Sequence, residues 1–101
     1  MIDWSRIAGF DWDQGNEGKL DSSGRGISRT EVEQMFTNEP LIVSADVKHS
    51  AQETRFHALG RTDQNRRLFA AFTLRRDGTL IRPISVRDVN AKEETRYEHE
   101  A

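Results

Sequence analysis

The sequence predicts one small α+β domain over residues 1–101, in which an antiparallel β-meander is packed by N-terminal helices and a C-terminal helix. Two observations lead to this class: three strand-like segments follow one another in the second half of the chain, and helix-start signals lie on both sides of them. The length is sufficient for a core without disulfide bonds. The chain contains no cysteine, which excludes thiolate catalysis and thiolate-held zinc.

The clearest helix signal begins at Ser28. Ser28 and Glu31 have the spacing of a capping box, while Ile27 and Val32 occupy the positions of a hydrophobic staple. An apolar stripe of helical period follows, and Pro40 cannot continue the helix. The sequence therefore predicts a structural helix after Ser28, to which no chemistry is assigned.

Two weaker regions flank this helix. Upstream, Asp13 can cap a short helical piece, but Gly15 and Gly18 weaken it, so a frayed helix or a loop is expected. Downstream, the apolar run 41–43 is followed by a polar stretch through Ser50 that cannot pack a core. This polar stretch is expected to be a loop.

Three strand-like segments form the predicted meander: Arg55–Arg61, 67–75 and 79–87. Residues 63–65 turn the chain between the first two. The dipeptide at 77–78, Asp-Gly, is a strong hairpin signal because both residues tolerate positive φ.

The third segment carries a proline, Pro83, which lacks an amide hydrogen for the sheet. It is therefore expected to be an edge strand or to contain a β-bulge. Strict alternation would place Leu80, Arg82, Ile84 and Val86 on one face and Ile81, Pro83, Ser85 and Arg87 on the other. Ser85 and Arg87 are thus expected to point the same way.

A closing helix is predicted from Asn90, which has Glu93 three residues later. The helix has few apolar residues, and Tyr97 is expected to dock it on the sheet, with a hydroxyl that could also reach a site at the sheet edge. Glu94 is expected to pair with an arginine of the sheet rather than to accept a substrate proton.

Charge is distributed unevenly along the chain. Residues 55–87 contain eight basic and two acidic residues, whereas residues 1–54 contain five and ten, and residues 88–101 contain two and five. Such a basic middle can hold a polyanion while the acidic flanks face a basic partner. The alternative is an ordinary solvated face of a sheet.

A series of different short motifs runs along residues 10–98. They are Phe10-Asp11-Trp12-Asp13, Gly15-Asn16 with Lys19, Gly26-Ile27-Ser28, Asp46-Val47-Lys48-His49-Ser50, Glu53-x-Arg55-Phe56, Ala58-Leu59-Gly60-Arg61, Phe72-Thr73-Leu74-Arg75, Ile84-Ser85-Val86-Arg87 and Glu94-x-x-Tyr97. In this order and spacing they resemble the BrnT family of toxins.

The resemblance implies a type II toxin with a small RelE-like fold and no cofactor. A cytoplasmic location is expected because the sequence shows no apolar run typical of a signal peptide or a membrane span. Such a toxin is a metal-independent ribonuclease that arrests translation. It implies two partners, an RNA substrate and a BrnA-like ribbon-helix-helix antitoxin that forms a heterotetramer with the toxin, and contact with DNA only through that antitoxin. No membrane association is expected.

One motif departs from the family pattern. Where the family carries Lys-His-Gly ahead of the helix, this chain has Gly24-Arg25-Gly26. An arginine stays charged and can hold a phosphate, but it is a poor general base. Cleavage by this chain therefore depends on a proton-transfer group elsewhere.

Metal-free RNA cleavage needs cations that stabilise charge on the phosphate oxygens. Arg61 and Arg87 are the candidates for this clamp, with Lys19 and Arg25 reaching over from a loop. The RNA-binding residues expected beside them are Arg25, Arg55, Thr73, Ser85 and Tyr97. Each arginine taken singly also fits a solvated strand end.

The cleavage reaction also needs a group that accepts a proton from the 2′-hydroxyl. His49 is the preferred candidate because it lies in a predicted loop beside basic and hydroxyl residues. His57, inside a strand, and His99, near the terminus, are less favoured. Glu53 and Glu94 are alternatives.

Two further interpretations stay open at this point. Asp11 and Asp13 alternate to one side and could hold a hard cation, but no third ligand lies nearby, so no metal site is predicted. The second is a binding module without catalysis. In it the basic sheet docks an acidic antitoxin segment, and the complex contacts DNA through the partner.

Overall fold

The structure is a computed structural model that describes residues 2–17, 26–49 and 53–100. It is α+β, with five strands in one sheet ordered β1-β5-β4-β3-β2. The strands are β1 (Gly9–Phe10), β2 (Ile42–Ala45), β3 (Arg55–Arg61), β4 (Arg67–Arg75) and β5 (Leu80–Asp88). The helices are α1 (Gln14–Glu17), α2 (Arg29–Thr37) and α3 (Ala91–Glu100), and 3-10 turns lie at Trp4–Arg6 and Val47–His49. In the described ranges, no helix has the length and apolar character needed to cross a membrane.

The sheet is mixed, which corrects the prediction of an antiparallel meander. β3, β4 and β5 form the predicted meander, but β1 pairs with β5 in parallel. Hydrogen bonds from Ala8 N to the Thr79 carbonyl (2.7 Å) and from Asp11 N to the Ile81 carbonyl (2.8 Å) extend this pairing. A strand of two residues has no periodicity of its own, so only its neighbour reveals it.

The other added strand, β2, corrects the loop predicted after residue 43. It pairs antiparallel with β3, with Ser44 opposite His57 and Ala45 opposite Phe56. The strand thus continues two residues past the apolar run. It ends at Ala45, and the backbone N–H of the next residue, Asp46, donates to the Arg55 carbonyl (2.8 Å).

Helix α2 begins as the sequence predicts. The Ser28 side chain accepts from Glu31 N, and the Glu31 side chain accepts from Ser28 N, which completes the capping box. The apolar stripe of the helix packs on the sheet at Gly60. A Cβ at that position would lie 2.6 Å from the Met35 carbonyl oxygen, so only glycine allows this close approach.

The core lies between α2 and one face of the sheet. Phe72 is fully buried at its centre, where its ring meets Phe36 edge-on at 5.0 Å and Phe56 at 5.4 Å. The other buried apolar residues include Val32, Met35, Ala58, Leu68, Ala70, Ile81 and Val86. The opposite face of the sheet is therefore left for other contacts.

Strand β5 confirms the bulge predicted at Pro83, although it is an interior strand between β1 and β4. Ser85 lies opposite Ala71 and Pro83 lies opposite Phe72, which leaves Ile84 as the extra residue. The predicted strict alternation is wrong across this bulge. Buried Val86 therefore shares the core face with Pro83 rather than with Leu80.

Helix α3 lies on the side of the sheet away from α2. Asn90 and Glu93 form the predicted cap, since Glu93 N donates to Asn90 Oδ1 (2.8 Å) and Asn90 N donates to Glu93 Oε1 (2.9 Å). Tyr97 is the buried residue of the helix, and its hydroxyl donates to the Pro40 carbonyl (2.6 Å). The predicted docking role of Tyr97 is confirmed.

Candidate functional site

The site is built on the sheet face opposite α2, which we call the basic face. Its members are read from the strand register: Arg55, His57, Leu59 and Arg61 on β3, Arg67, Phe69, Ala71, Thr73 and Arg75 on β4, and Leu80, Arg82, Ser85 and Arg87 on β5. Ser85 and Arg87 lie on the same face, as predicted. The meander thus collects arginines that are far apart in sequence.

Carboxylates from the acidic segments form ion pairs with several arginines of the basic face and with Arg66, which lies just before β4. The pairs are Arg66 with Glu31 and Asp88, Arg67 with Glu94 and Glu98, Arg75 with Glu53, Arg82 with Asp11 and Asp13, and Arg87 with Glu93. The expected pairing of Glu94 with a sheet arginine is confirmed. The acidic flanks therefore fold onto the basic strands rather than facing outward as a separate surface, which corrects that prediction.

Arg87 forms a two-point pair with a carboxylate of α3. Its Nη1 and Nη2 donate to the two carboxylate oxygens of Glu93 at 2.7 and 2.8 Å, and its guanidinium lies 4.2 Å from the centroid of the Phe69 ring. The hydrogen bond with Glu93 raises the pKa of Arg87. Burial acts to raise the pKa of Glu93. Hydrogen bonds from Arg87 and from the Asn90 backbone lower it by a larger amount, so the pKa of Glu93 lies below its ordinary value. Both groups are charged at neutral pH.

Two histidines meet on one buried carboxylate, that of Asp46. Asp46, whose side chain is 8% exposed, lies 3.0 Å from His49 Nδ1 and 3.0 Å from His57 Nε2, both measured to Oδ2. The backbone N–H of His49 also donates to Asp46 Oδ1 (3.3 Å). Burial acts to raise the pKa of Asp46, but the hydrogen bond from His49 and the nearby imidazoles lower it below its usual value. Asp46 is thus an ionised acceptor.

Phe69 connects the histidine pair to Arg87. The His57 ring lies 5.0 Å from the Phe69 ring, so His57 and Arg87 both contact the same aromatic side chain. Directly opposite positions on β3, β4 and β5 are called a row here. The row next to that of Phe69 consists of His57, Ala71 and Ser85. Ala71 lies between an imidazole and a hydroxyl, whose backbones are about 10 Å apart at the strand spacing of a sheet.

Comparison with known proteins identifies the family. Residues 12–93 match the model of a family described as ribonuclease toxin, BrnT, of type II toxin-antitoxin systems. The chain belongs to this family. No curated protein matches the chain. Membership of a toxin family of type II toxin-antitoxin systems implies an antitoxin partner for this chain.

The structure does not bring the two arginines predicted as a phosphate clamp, Arg61 and Arg87, into one cluster. Both lie within the segment that matches the BrnT family. Both lie on the basic face, yet Arg61 Nε donates to the Glu39 carbonyl (2.9 Å) and Arg87 donates to Glu93. Arg61 instead lies near Tyr97, whose pKa is raised by burial and lowered in part by the charge of Arg61.

The remaining residues predicted for RNA binding fall into three groups. Arg55 and Ser85 lie on the basic face near Ala71. Thr73 is buried, and its hydroxyl donates to the Thr54 carbonyl (2.7 Å). Lys19 and Arg25 lie outside the described residues.

The carboxylates once considered for a cation are used otherwise. Asp13 Oδ1 and Oδ2 each accept from Arg82 at 3.0 Å, and Asp11 accepts from the same guanidinium at 3.3 Å. Across residues 2–17, 26–49 and 53–100, no group of three or more His, Cys, Asp or Glu side chains could hold a metal ion.

Sequence reasoning missed the Asp46–His57 pair. Asp46 and His49 share a motif, but His57 is eleven positions from Asp46, and only the pairing of β2 with β3 brings them together. The usable signal was the apolar run before Asp46, which could have been extended into a strand. With that strand in place, antiparallel pairing puts the start of β3 beside Asp46.

Proposed function

We propose that this BrnT toxin is a metal-independent endoribonuclease whose active site lies on the basic face around Ala71, and that cleavage of RNA arrests translation. The observation that carries the proposal is the joint contact of Arg87 and His57 with Phe69. A cation held by Glu93 and an imidazole then contact one aromatic ring of the basic face, in a family described as ribonuclease toxins. A RelE-like fold is part of the same proposal.

Arg87 supplies the phosphate-binding cation in this proposal. A guanidinium binds a phosphate through two parallel hydrogen bonds, and Glu93 occupies that two-point geometry in the structure. The Glu93 carboxylate therefore stands where two phosphate oxygens would bind. RNA has to displace the Glu93 carboxylate. After Glu93 has left, Arg87 can bind the phosphate without changing its side-chain conformation.

The other predicted residues take different places in the proposal. Arg55 and Ser85 contact the RNA backbone near the scissile phosphate in this proposal. Lys19 and Arg25, which lie outside the described residues, are kept as proposed phosphate contacts. Arg61, Thr73 and Tyr97 act in support, since each donates to a backbone carbonyl that anchors the sheet. His49 takes part through the carboxylate that it shares with His57.

The antitoxin in this proposal is a BrnA-like ribbon-helix-helix protein that binds the toxin in a heterotetramer. The complex contacts DNA through the antitoxin. The pairing of Arg67, Arg82 and Arg87 with internal carboxylates supports this division, because these three cations are then less available to the phosphates of a duplex.

A second candidate function is a binding module without catalysis. It is favoured by the arginine at position 25 and by the ion pairs that neutralise the basic face. In this reading Arg87 and Glu93 hold α3 on the sheet, and the face serves only to dock the antitoxin.

One assay separates the two functions. The purified full chain, freed of antitoxin, is incubated with a long single-stranded RNA in excess chelator. The ribonuclease proposal expects cleavage that added antitoxin stops. Intact RNA together with stable antitoxin binding would support the module instead.

A further inference from the structure

We propose that His57, rather than His49, accepts the proton of the attacking 2′-hydroxyl, and that Asp46 is the positioning residue that orients it. The inference rests on the ribonuclease proposal and names the proton acceptor of that site. Three observations carry it: the tautomer that Asp46 imposes, the place of His57 on the basic face, and the burial of Asp46.

The tautomer follows from the hydrogen bond. An ionised carboxylate only accepts, so the imidazole nitrogen 3.0 Å from Asp46 Oδ2 has to carry a proton. In His57 that nitrogen is Nε2, which leaves Nδ1 with a free lone pair. In neutral form, His57 is therefore set as a base at Nδ1.

The position of His57 distinguishes it from His49. His57 lies in strand β3 on the basic face, with its ring against Phe69 and its row neighbours Ala71 and Ser85. His49 lies in the 3-10 turn after β2, and its side chain is 61% exposed, against 36% for His57. A base held by a strand and an aromatic ring keeps its distance to the phosphate more closely than one in an exposed turn.

Charged groups reach His57 from two further elements. The charge of His57 is one of the influences that lower the pKa of Glu93 in α3. Arg87 of β5 contacts both Glu93 and the Phe69 ring. The candidate phosphate-binding cation therefore holds Glu93 and contacts the Phe69 ring, which the candidate base also contacts. In this proposal, a phosphate that displaces Glu93 from Arg87 binds at the side of Phe69, within reach of His57.

The step balances without a cofactor. The 2′-oxygen forms a bond to phosphorus while its proton passes to His57 Nδ1, and the bond from phosphorus to the 5′-oxygen breaks. A water molecule supplies a proton to the departing 5′-oxygen. The products are a 2′,3′-cyclic phosphate and a 5′-hydroxyl, and the proton on His57 returns to solvent.

Asp46 acts through His57. Its carboxylate fixes the ring orientation and offsets the positive charge that His57 gains in the step. A purely structural role is the alternative, because Asp46 also accepts from the His49 backbone in the 3-10 turn. The test must therefore separate catalysis from folding.

The experiment compares His57→Gln, His49→Gln and Asp46→Asn, with His99→Gln, on the exposed side of α3, as the control. Single-turnover cleavage at saturating RNA, RNA affinity and thermal unfolding are measured for each. His57→Gln is expected to slow cleavage by about 10²-fold or more, the typical contribution of a general base. Asp46→Asn is expected to slow it at least about tenfold. Both should leave RNA affinity within a factor of about three.

Nitrogen-15 spectra of the wild-type chain give a readout that does not need activity. His57 is expected as the Nε2-protonated tautomer, and an Nδ1-protonated His57 would overturn the inference. So would His57→Gln that cleaves at the wild-type rate, or His49→Gln that alone loses cleavage. If Asp46→Asn does not fold, His57→Gln and the wild-type spectrum decide. If the wild-type chain itself leaves RNA intact, the ribonuclease proposal fails first and this inference falls with it.

Discussion

Arg87 at the end of β5 and Glu93 in the first turn of α3 join the sheet to the closing helix through two hydrogen bonds of 2.7 and 2.8 Å. The pair has a double consequence. It keeps Arg87 extended over Phe69, and it fills with a carboxylate the place that a phosphate would take. Whether Arg87 serves the fold or the substrate is therefore open to direct measurement.

Arg87→Ala is expected to lower the cleavage rate by about 10²-fold or more, the usual cost of removing one fixed group that stabilises transition-state charge. Arg96→Ala is the matched control, because Arg96 pairs with Glu100 on the exposed part of α3. The cleavage rate and the stability to urea are measured for both variants. A folded Arg87→Ala chain that cleaves normally would remove Arg87 from the proposed site.

Glu93→Gln is expected to bind RNA a few-fold more tightly, because Arg87 loses its competing anion. Glutamine also suits this position of a capping box, so the cap with Asn90 should survive. The measurement is the titration of a labelled RNA at several salt concentrations. The slope of log K against log salt should steepen by up to the amount that one additional phosphate contact contributes. Glu100→Gln is the control, and equal affinities for both variants would contradict the expectation.

Gly60→Ala is expected to destabilise the fold by about 1–3 kcal/mol, the usual cost of overpacking. The new Cβ would lie 2.6 Å from the Met35 carbonyl oxygen, which belongs to helix backbone and cannot swing away. Gly9→Ala is the control, since its Cβ would lie 3.7 Å from Leu80 Cδ2 in ordinary contact. Urea unfolding of the two variants measures the difference, and equal losses would show that α2 can shift.

Acid is expected to destabilise the fold partly through Glu31. Hydrogen bonding from Ser28 N lowers its pKa below the ordinary 4.5, and the pairing with Arg66 adds to this. The unfolded chain therefore binds the proton more readily, so the stabilisation is present above about pH 4.5 and is lost as pH falls through the lower folded value.

Glu31→Gln tests this sign. The variant keeps a capping residue but has no charge to titrate, so its loss of stability between pH 6 and pH 3 should be smaller than in the wild-type chain. Unfolding free energies at the two pH values give the comparison, with Glu100→Gln as the control. A variant as acid-sensitive as the wild-type chain would show that other carboxylates account for the effect.

Local signals predicted the parts of this protein that depend on neighbours in sequence. The capping box at Ser28, the bounds of β3 and β4, the turn at 77–78 and the bulge at Pro83 were all readable, because each is set by residues a few positions apart. The ordered motifs also identified the BrnT family.

Tertiary structure alone decided which distant groups meet. The sequence showed a basic middle and acidic flanks, but only the fold pairs Arg82 with Asp13 and Arg87 with Glu93. Asp46 reaches His57 because β2 joins the sheet beside β3, a pairing that no local pattern specifies. The physical reason is that side-chain periodicity selects the face on which a residue lies, whereas strand order, which depends on burying the whole core, selects its partner.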